Sequence, residues 1–318
     1  MSTIRKPLDV TAVGLMVLIC LVWSVQQIGL KATGHLAAPV LQIGVRSVIA
    51  AFCVWVLVRL RGDRIPFSGS TAVTGAFVGL LFGFEFLLLA ESIKLTSASH
   101  VVVFLYTAPI FAALGLHWRL PSERLAAGQW VGIALAAAGI AVAFIGNGPS
   151  TSADLSSMLL GDLLALCAGA GWGATTIVIR CSRLSTVPAT HTLFYQLAAA
   201  GMLLTLAAFA SGQTLIMPTW LLGLNLVFQA FVVCFFSFLV WFWMLTQYRA
   251  SQLGVLSLMS PLFGVVLGVL LLGEPLSMEF LLGSSIVLAG IVIVTGYPWF
   301  RQWRLRHASS IAVKRTAD

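Results

Sequence analysis

Trp23-Ser24-Val25-Gln26-Gln27-Ile28-Gly29-Leu30-Lys31 and Trp172-Gly173-Ala174-Thr175-Thr176-Ile177-Val178-Ile179-Arg180 are two versions of one segment, 149 residues apart. Each opens on a tryptophan, places two polar residues a turn later and closes on a base. Downstream, Pro109 matches Pro261 at an offset of 152, and Glu123, Gly132 and Gly139 match Glu274, Gly283 and Gly290 at 151. So small a drift is that of a duplication with short insertions. Each copy contains five apolar spans. An odd number makes the second copy enter a membrane from the opposite side, and inverted repeats of this kind point to a carrier.

The composition agrees with a membrane setting. Hydrophobic residues make up 59% of the 318 residues and charged residues only 9%, with a mean hydropathy of +1.01. A soluble domain is about one quarter charged, so a water-soluble fold is excluded. Apolar runs near ~18 residues, with little alternation, read as helices and not as the ~10-residue strands of a barrel. The expected fold is an all-α integral membrane protein with ten transmembrane helices arranged as two inverted five-helix repeats. The spans fall at roughly 10–30, 38–58, 72–93, 98–117, 126–146, 158–179, 189–210, 220–245, 251–272 and 279–297. The first repeat takes residues 1–148, the second 149–300, and a basic tail 301–318. The opening run is too long for a signal-peptide core and is read as the first span.

The net charge of +8 is distributed like an orientation signal and not like a nucleic-acid footprint. Fifteen bases fall on one side of the ten-span arrangement: Arg5, Lys6, Arg59, Arg61, Arg64, Arg119, Arg124, Arg180, Arg183, Arg249 and the tail bases Arg301, Arg304, Arg306, Lys314 and Arg315. Lys31 and Lys94 fall on the other, and Arg46 lies inside a span. That bias puts both termini in the cytoplasm, with the tail free to touch anionic lipid. No nucleic-acid partner is expected. The five cysteines contain no CxxC pair, so no metal site or disulfide framework is suggested. The five histidines are scattered, and no phosphate-cradling glycine loop, HExxH or GxSxG occurs. The expectation is a non-enzyme without cofactors, because the sequence offers no histidine and carboxylate at one depth.

Leu272-Gly273-Glu274-Pro275-Leu276-Ser277, followed by Gly283 and Gly290, resembles the signature entering the last span of EamA-type carriers of the drug/metabolite transporter superfamily. Ala250-Ser251 and Ser260-Pro261-Leu262 fit the same family's ninth span. A more diverged copy stands in the first half: Ala98-Ser99, Ala108-Pro109-Ile110, Pro121-Ser122-Glu123-Arg124-Leu125, Gly132 and Gly139. Trp23-Ser24 lacks the glycine usual after that tryptophan, whereas Trp172-Gly173 keeps it. The resemblance covers roughly residues 10–297. It implies ten helices, cytoplasmic termini, the bacterial cytoplasmic membrane and secondary transport, often export, of a small metabolite. It does not imply ATP hydrolysis.

Arg46 is the most informative ionisable residue. It lies about 8 residues, or ~12 Å, into the second span, where a charge faces protein or a wet cavity. It is either a substrate-anion contact, through paired guanidinium bonds, or a structural arginine satisfied by backbone carbonyls or outer headgroups. Glu85 lies at a similar depth in the third span. Paired with Arg46, it would share the desolvation cost; alone, it would be a candidate carrier of a coupling proton. Its repeat position is Ser237, whereas that of Arg46 is Tyr195, so the two halves present different groups.

Trp23 and Trp172 lie mid-span and either wall a cavity or pack the core. Gln26, Gln27, Thr175 and Thr176, one turn on, and Tyr106 and Tyr195 give such a cavity hydrogen-bonding capacity. Lys31 and Arg180 close the first and sixth spans, as gate residues or as bases reaching for headgroups. Pro109 and Pro261 are paired mid-span kinks and candidate hinges. Glu123 and Glu274 read as N-terminal carboxylates of spans five and ten. Gly132, Gly139, Gly283 and Gly290 read as small surfaces for close helix approach.

The expected function is a secondary transporter that exports a small metabolite such as an amino acid by alternating access in the lipid bilayer. A nucleotide-sugar or sugar-phosphate carrier shares the architecture but would favour more cavity cations than Arg46. A membrane-embedded non-transport protein is the rival from another class.

Overall fold

The computed structural model describes residues 9–121, 124–145, 152–248, 253 and 256–315. Glu123 and Ala250-Ser251, named above, lie outside these residues. The described chain is nearly all helical, with an isolated β-bridge between Ala37 and Ile216. Helix α1 (Val10–Ala32) starts at Asp9, whose carboxylate accepts from the Ala12 amide at 2.7 Å. Helix α2 (Pro39–Leu60) opens on a proline, whose fixed φ suits a first turn. Then come α3 (Gly69–Leu95), α4 (Ala98–Leu105), α5 (Ala108–Arg119), α6 (Ala127–Ile145) and α7 (Ser152–Arg180). A short 3₁₀ turn (Arg183–Thr186) leads to α8 (Ala189–Ala210). Helix α9 (Trp220–Val227) continues through a π-helical segment (Phe228–Ser237) into α10 (Phe238–Gln247). Helices α11 (Met259–Leu272) and α12 (Met278–Arg315) complete the chain.

Among the described residues, eight helical stretches are long and apolar enough to cross a membrane, counting Ala98–Arg119 and Trp220–Met244 as one each. Two apolar helices are shorter, Ala127–Ala143 and Met259–Leu272. Large apolar side chains such as Phe52, Phe84, Leu206, Phe236 and Leu270 stand exposed on them, as lipid-facing residues do and those of a soluble core do not. Helix α3 packs between α7 and α8, α2 lies on α8 and the π segment, α5 on α7, and α1 on α11. Helix α4 sits between α7 and α11, and α6 runs along α12. That last pair relies on the expected glycines. A β-carbon on Gly132 would stand 2.8 Å from the Gly290 carbonyl oxygen, and one on Gly139 would stand 2.6 Å from the Val287 nitrogen.

Two spans depart from the regular helices expected. The fourth breaks at Tyr106 and Thr107, where the Thr107 hydroxyl turns back to the Phe104 carbonyl at 2.6 Å. Pro109 therefore stands in the first turn of a new helix, where its missing N–H costs nothing, and not at a mid-helix kink. Pro261 likewise occupies the first turn of α11. The eighth span carries ten π-helical residues, a rare geometry that concentrates at functional places.

Candidate functional site

Two buried polar clusters occupy different levels of the bundle. The deeper one centres on Arg46 of α2, only 1% exposed. Its Nη1 donates to Oε1 of Gln229 in the π segment, and Gln229 Nε2 donates to the Gln26 carbonyl at 2.9 Å. The guanidinium lies over the Phe86 ring, 5.0 Å from its centroid, a favourable place for a cation. Arg46 Nε has no hydrogen-bond partner.

Glu85 does not pair with Arg46. It precedes Phe86 on α3, at the contact with α7, with Cβ 3.4 Å from where a β-carbon on Gly171 would lie. Its Oε2 is buried without a donor, and Gln27 Oε1 and Thr175 Oγ1 are buried without partners too. Buried polar atoms are paired in roughly nine cases of ten. Four of the seven such orphans among the described residues thus lie on α1, α2, α3 and α7; the others are the hydroxyls of Thr205, Ser260 and Ser284.

The aromatic candidates sit around this level. Trp23 Nε1 donates to Ser237 Oγ at 2.9 Å, and its ring meets Trp241 edge-on at 5.5 Å. Trp172 meets Tyr106 edge-on at 5.4 Å. The Thr176 hydroxyl turns back to the Trp172 carbonyl at 3.1 Å. Ser24 joins α1 to α11 by donating to the Ser260 carbonyl at 2.8 Å. Tyr195 is elsewhere: its hydroxyl donates to the Pro66 carbonyl, and its ring fills the surface left by Gly75. It clamps the α2–α3 connection, beside the contact of His191 with Asp63 at 3.0 Å. Arg180 is exposed at the end of α7.

The second cluster lies where α3 ends and α4 begins, at the Thr96 end of the bundle. Lys31 Nζ donates to the carbonyls of Ile93 (2.7 Å) and Thr96 (2.6 Å), so a base satisfies the last turn of α3. Glu274 accepts from the amides of Ala98 (2.6 Å) and Ser99 (3.0 Å) and from the Ser99 hydroxyl (2.6 Å). It thus caps α4, not the helix that follows it in sequence, which corrects the expectation. Gly273 explains how: its left-handed φ of +63° ends α11 and brings the Glu274 amide back to the Gly268 carbonyl at 3.2 Å. The carboxyl is thereby aimed across the bundle, and Gly268 leaves it room, since a β-carbon there would stand 2.5 Å from Oε2.

Asp162 of α7, with no exposed surface, accepts from the Thr96 hydroxyl at 2.6 Å and lies 2.9 Å from His100 Nδ1. The sequence was expected to hold no histidine and carboxylate at one depth; the fold brings this pair together. Among the described residues, no group of three or more His, Cys, Asp or Glu converges as metal ligands would.

A nearly all-helical bundle with lipid-facing apolar surfaces and buried charges at mid-depth defines a multi-pass membrane protein. The chain belongs to the EamA-like transporter family, whose profile matches residues 10–145 and again 159–296. It is similar to the uncharacterized transporter YoaV of Bacillus subtilis, 23% identical over 87% of this chain and 94% of that one. It is also similar to proteins named probable amino-acid metabolite efflux pump: 27% identical in Salmonella typhimurium, over 88% of this chain and 93% of that one, and 27% in Escherichia coli, over 90% and 95%. A solved crystal structure at 21% identity matches with a TM-score of 0.63, covering 90% of this chain and 96% of that one, which speaks for the fold alone.

Proposed function

We propose that this protein is a secondary carrier of the bacterial cytoplasmic membrane, built from ten membrane helices as two inverted five-helix repeats. Both termini face the cytoplasm, and it exports a small metabolite such as an amino acid by alternating access. The observation that carries the reading is the set of orphaned polar atoms inside the bundle: Arg46 Nε, Glu85 Oε2, Gln27 Oε1 and Thr175 Oγ1. In a carrier these are the groups a bound zwitterion completes. The guanidinium suits a carboxylate, Glu85 suits an ammonium or a coupling proton, and Trp23, Trp172 and Tyr106 bound the space.

The packing supports the repeat. Contacts of the third span with the sixth and seventh are answered by contacts of the eighth with the first and second. Those of α4 and α5 with α7 are answered by those of α11 with α1. The distribution of bases supports cytoplasmic termini, which makes the Thr96 end the outer end. Lys31 then belongs to the outer gate, and the Tyr106–Thr107 and Leu258 breaks, each just ahead of a proline, are the hinges. The names of the similar efflux pumps support amino-acid metabolites as the cargo.

The test is export from cells that overproduce the protein and are loaded with a panel of dipeptides and metabolites. Selective appearance of amino acids in the medium, lost in Glu85→Gln at equal membrane abundance, is the expected result. No accumulation of any compound above the level of cells lacking the protein would overturn the export reading.

A further inference from the structure

At the Thr96 end, groups from the two halves of the chain meet, and one set of contacts uses an imidazole. Asp162 and Gly161 come from the second half; Thr96 and His100 come from the first. The approach is close: the Ser92 hydroxyl donates to the Gly161 carbonyl at 2.8 Å, and a β-carbon on Gly161 would stand 2.8 Å from Thr96 Cβ. His100 Nδ1 reaches both Asp162 oxygens, at 2.9 and 3.0 Å. The imidazole lies flat on Phe280 of α12, with centroids 3.7 Å apart and planes 5° from parallel, which fixes the ring beside Asp162.

The opposite end carries a related contact. Tyr248 stands at the repeat position of Thr96 (248−96 = 152), and its hydroxyl donates to Asp9 at 3.0 and 3.1 Å. Asp9 corresponds to Met158 at the offset of 149, one helical turn before Asp162. Each end therefore ties an aspartate near the start of one repeat to a hydroxyl ahead of the fourth helix of the other. The position equivalent to His100 is Gln252 (offset 152), which carries no titratable group.

We infer that Asp162, His100 and Thr96 form the latch of the outer gate, that Asp9 and Tyr248 form its cytoplasmic counterpart, and that the outer latch alone responds to protons. The inference rests on the alternating-access reading above. Histidine is the side chain that ordinarily changes charge between pH 5 and 8. With the imidazolium present, the latch joins opposite charges on α4 and α7; without it, Asp162 keeps only neutral donors from this pair of residues. Among the described residues, the other charged groups facing the latch are Glu274, spent on the first turn of α4, and Lys31, spent on the last turn of α3. An acidic exterior thus favours a closed outer gate.

The test uses the full-length protein in proteoliposomes, without its native cysteines and with Ala165→Cys, a buried α7 position about one turn below Asp162. Labelling by a membrane-impermeant maleimide from outside reports opening, with rates corrected for the reagent's own pH dependence on an exposed control cysteine. The expected rate rises several-fold from pH 6 to pH 8, Asp162→Asn raises it at every pH, and His100→Gln removes the pH dependence while retaining labelling. Thr96→Val serves as the milder variant should Asp162→Asn fail to fold, and it should also speed labelling. The latch is overturned if His100→Gln keeps the parent's pH profile or if both Asp162→Asn and Thr96→Val label no faster than the parent. Labelling absent in every folded variant would contradict alternating access itself, and the latch with it.

Discussion

The Thr96 end and the Arg46 level hold the same kinds of residue in opposite states. At the Thr96 end the Glu274 carboxylate takes three donors, Asp162 meets a hydroxyl and an imidazole, and Lys31 meets two carbonyls. Around Arg46 and on the neighbouring helices α1, α3 and α7 a guanidinium nitrogen, a carboxylate oxygen, an amide oxygen and a hydroxyl are buried with nothing to bond. Buried polar networks stabilise when complete and are costly when half made. The complete network marks a contact that holds the protein together, and the incomplete one marks a place kept ready for something else. Burial does not distinguish them; satisfaction does.

The contrast breaks if perturbing the two regions gives similar results. Glu274→Ala removes the acceptor of three donors and leaves the first turn of α4 uncapped. We expect a loss of about 3 kcal/mol in unfolding of the detergent-solubilised protein, with Glu274→Gln recovering part of it. Asp162→Asn should cost about 2 kcal/mol, since an amide replaces a charged acceptor. Gly139→Ala forces a β-carbon against the Val287 backbone and should cost about 2 kcal/mol by pushing α6 from α12. Tyr195→Phe removes one bond to the α2–α3 connection and should cost about 1 kcal/mol while leaving flux intact. Arg46→Met closes the series with a loss of about 1 kcal/mol, because the bond to Gln229 is lost while a buried charge with an unmet donor is relieved. Arg46 would thus matter little to stability.

Much of this was legible in the sequence. The duplication, the apolar spans and the glycine pairs of α6 and α12 follow from spacing and composition, because helix length and close approach depend on local chemistry. Arg46 and Glu85 stood out because a charge eight residues into an apolar span has no bland place to go. Their partners were hidden. Gln229 is a neutral amide in an apolar run, and nothing local reveals that a π-helical turn aims it at Arg46. Asp162 and His100 each fall near an edge of an expected span, where a polar residue reads as a span end. Their shared depth was a usable signal, since a ten-span reading puts both edges on one side. Glu274 was correctly read as a capping carboxylate, but the helix it caps is set by the left-handed turn at Gly273 and by packing across the halves. Tyr195, the repeat partner of Arg46, turned to the Pro66 carbonyl because the duplication preserves the backbone position and not the neighbours of the side chain.

The most direct test of the central claim, that the orphaned set is where cargo binds, is amino-acid counterflow in proteoliposomes with wild type beside Arg46→Met, scored per folded molecule. The account predicts that counterflow seen with wild type disappears in Arg46→Met while its unfolding midpoint stays within a few degrees of wild type. Counterflow undiminished in a stably folded Arg46→Met protein would contradict it.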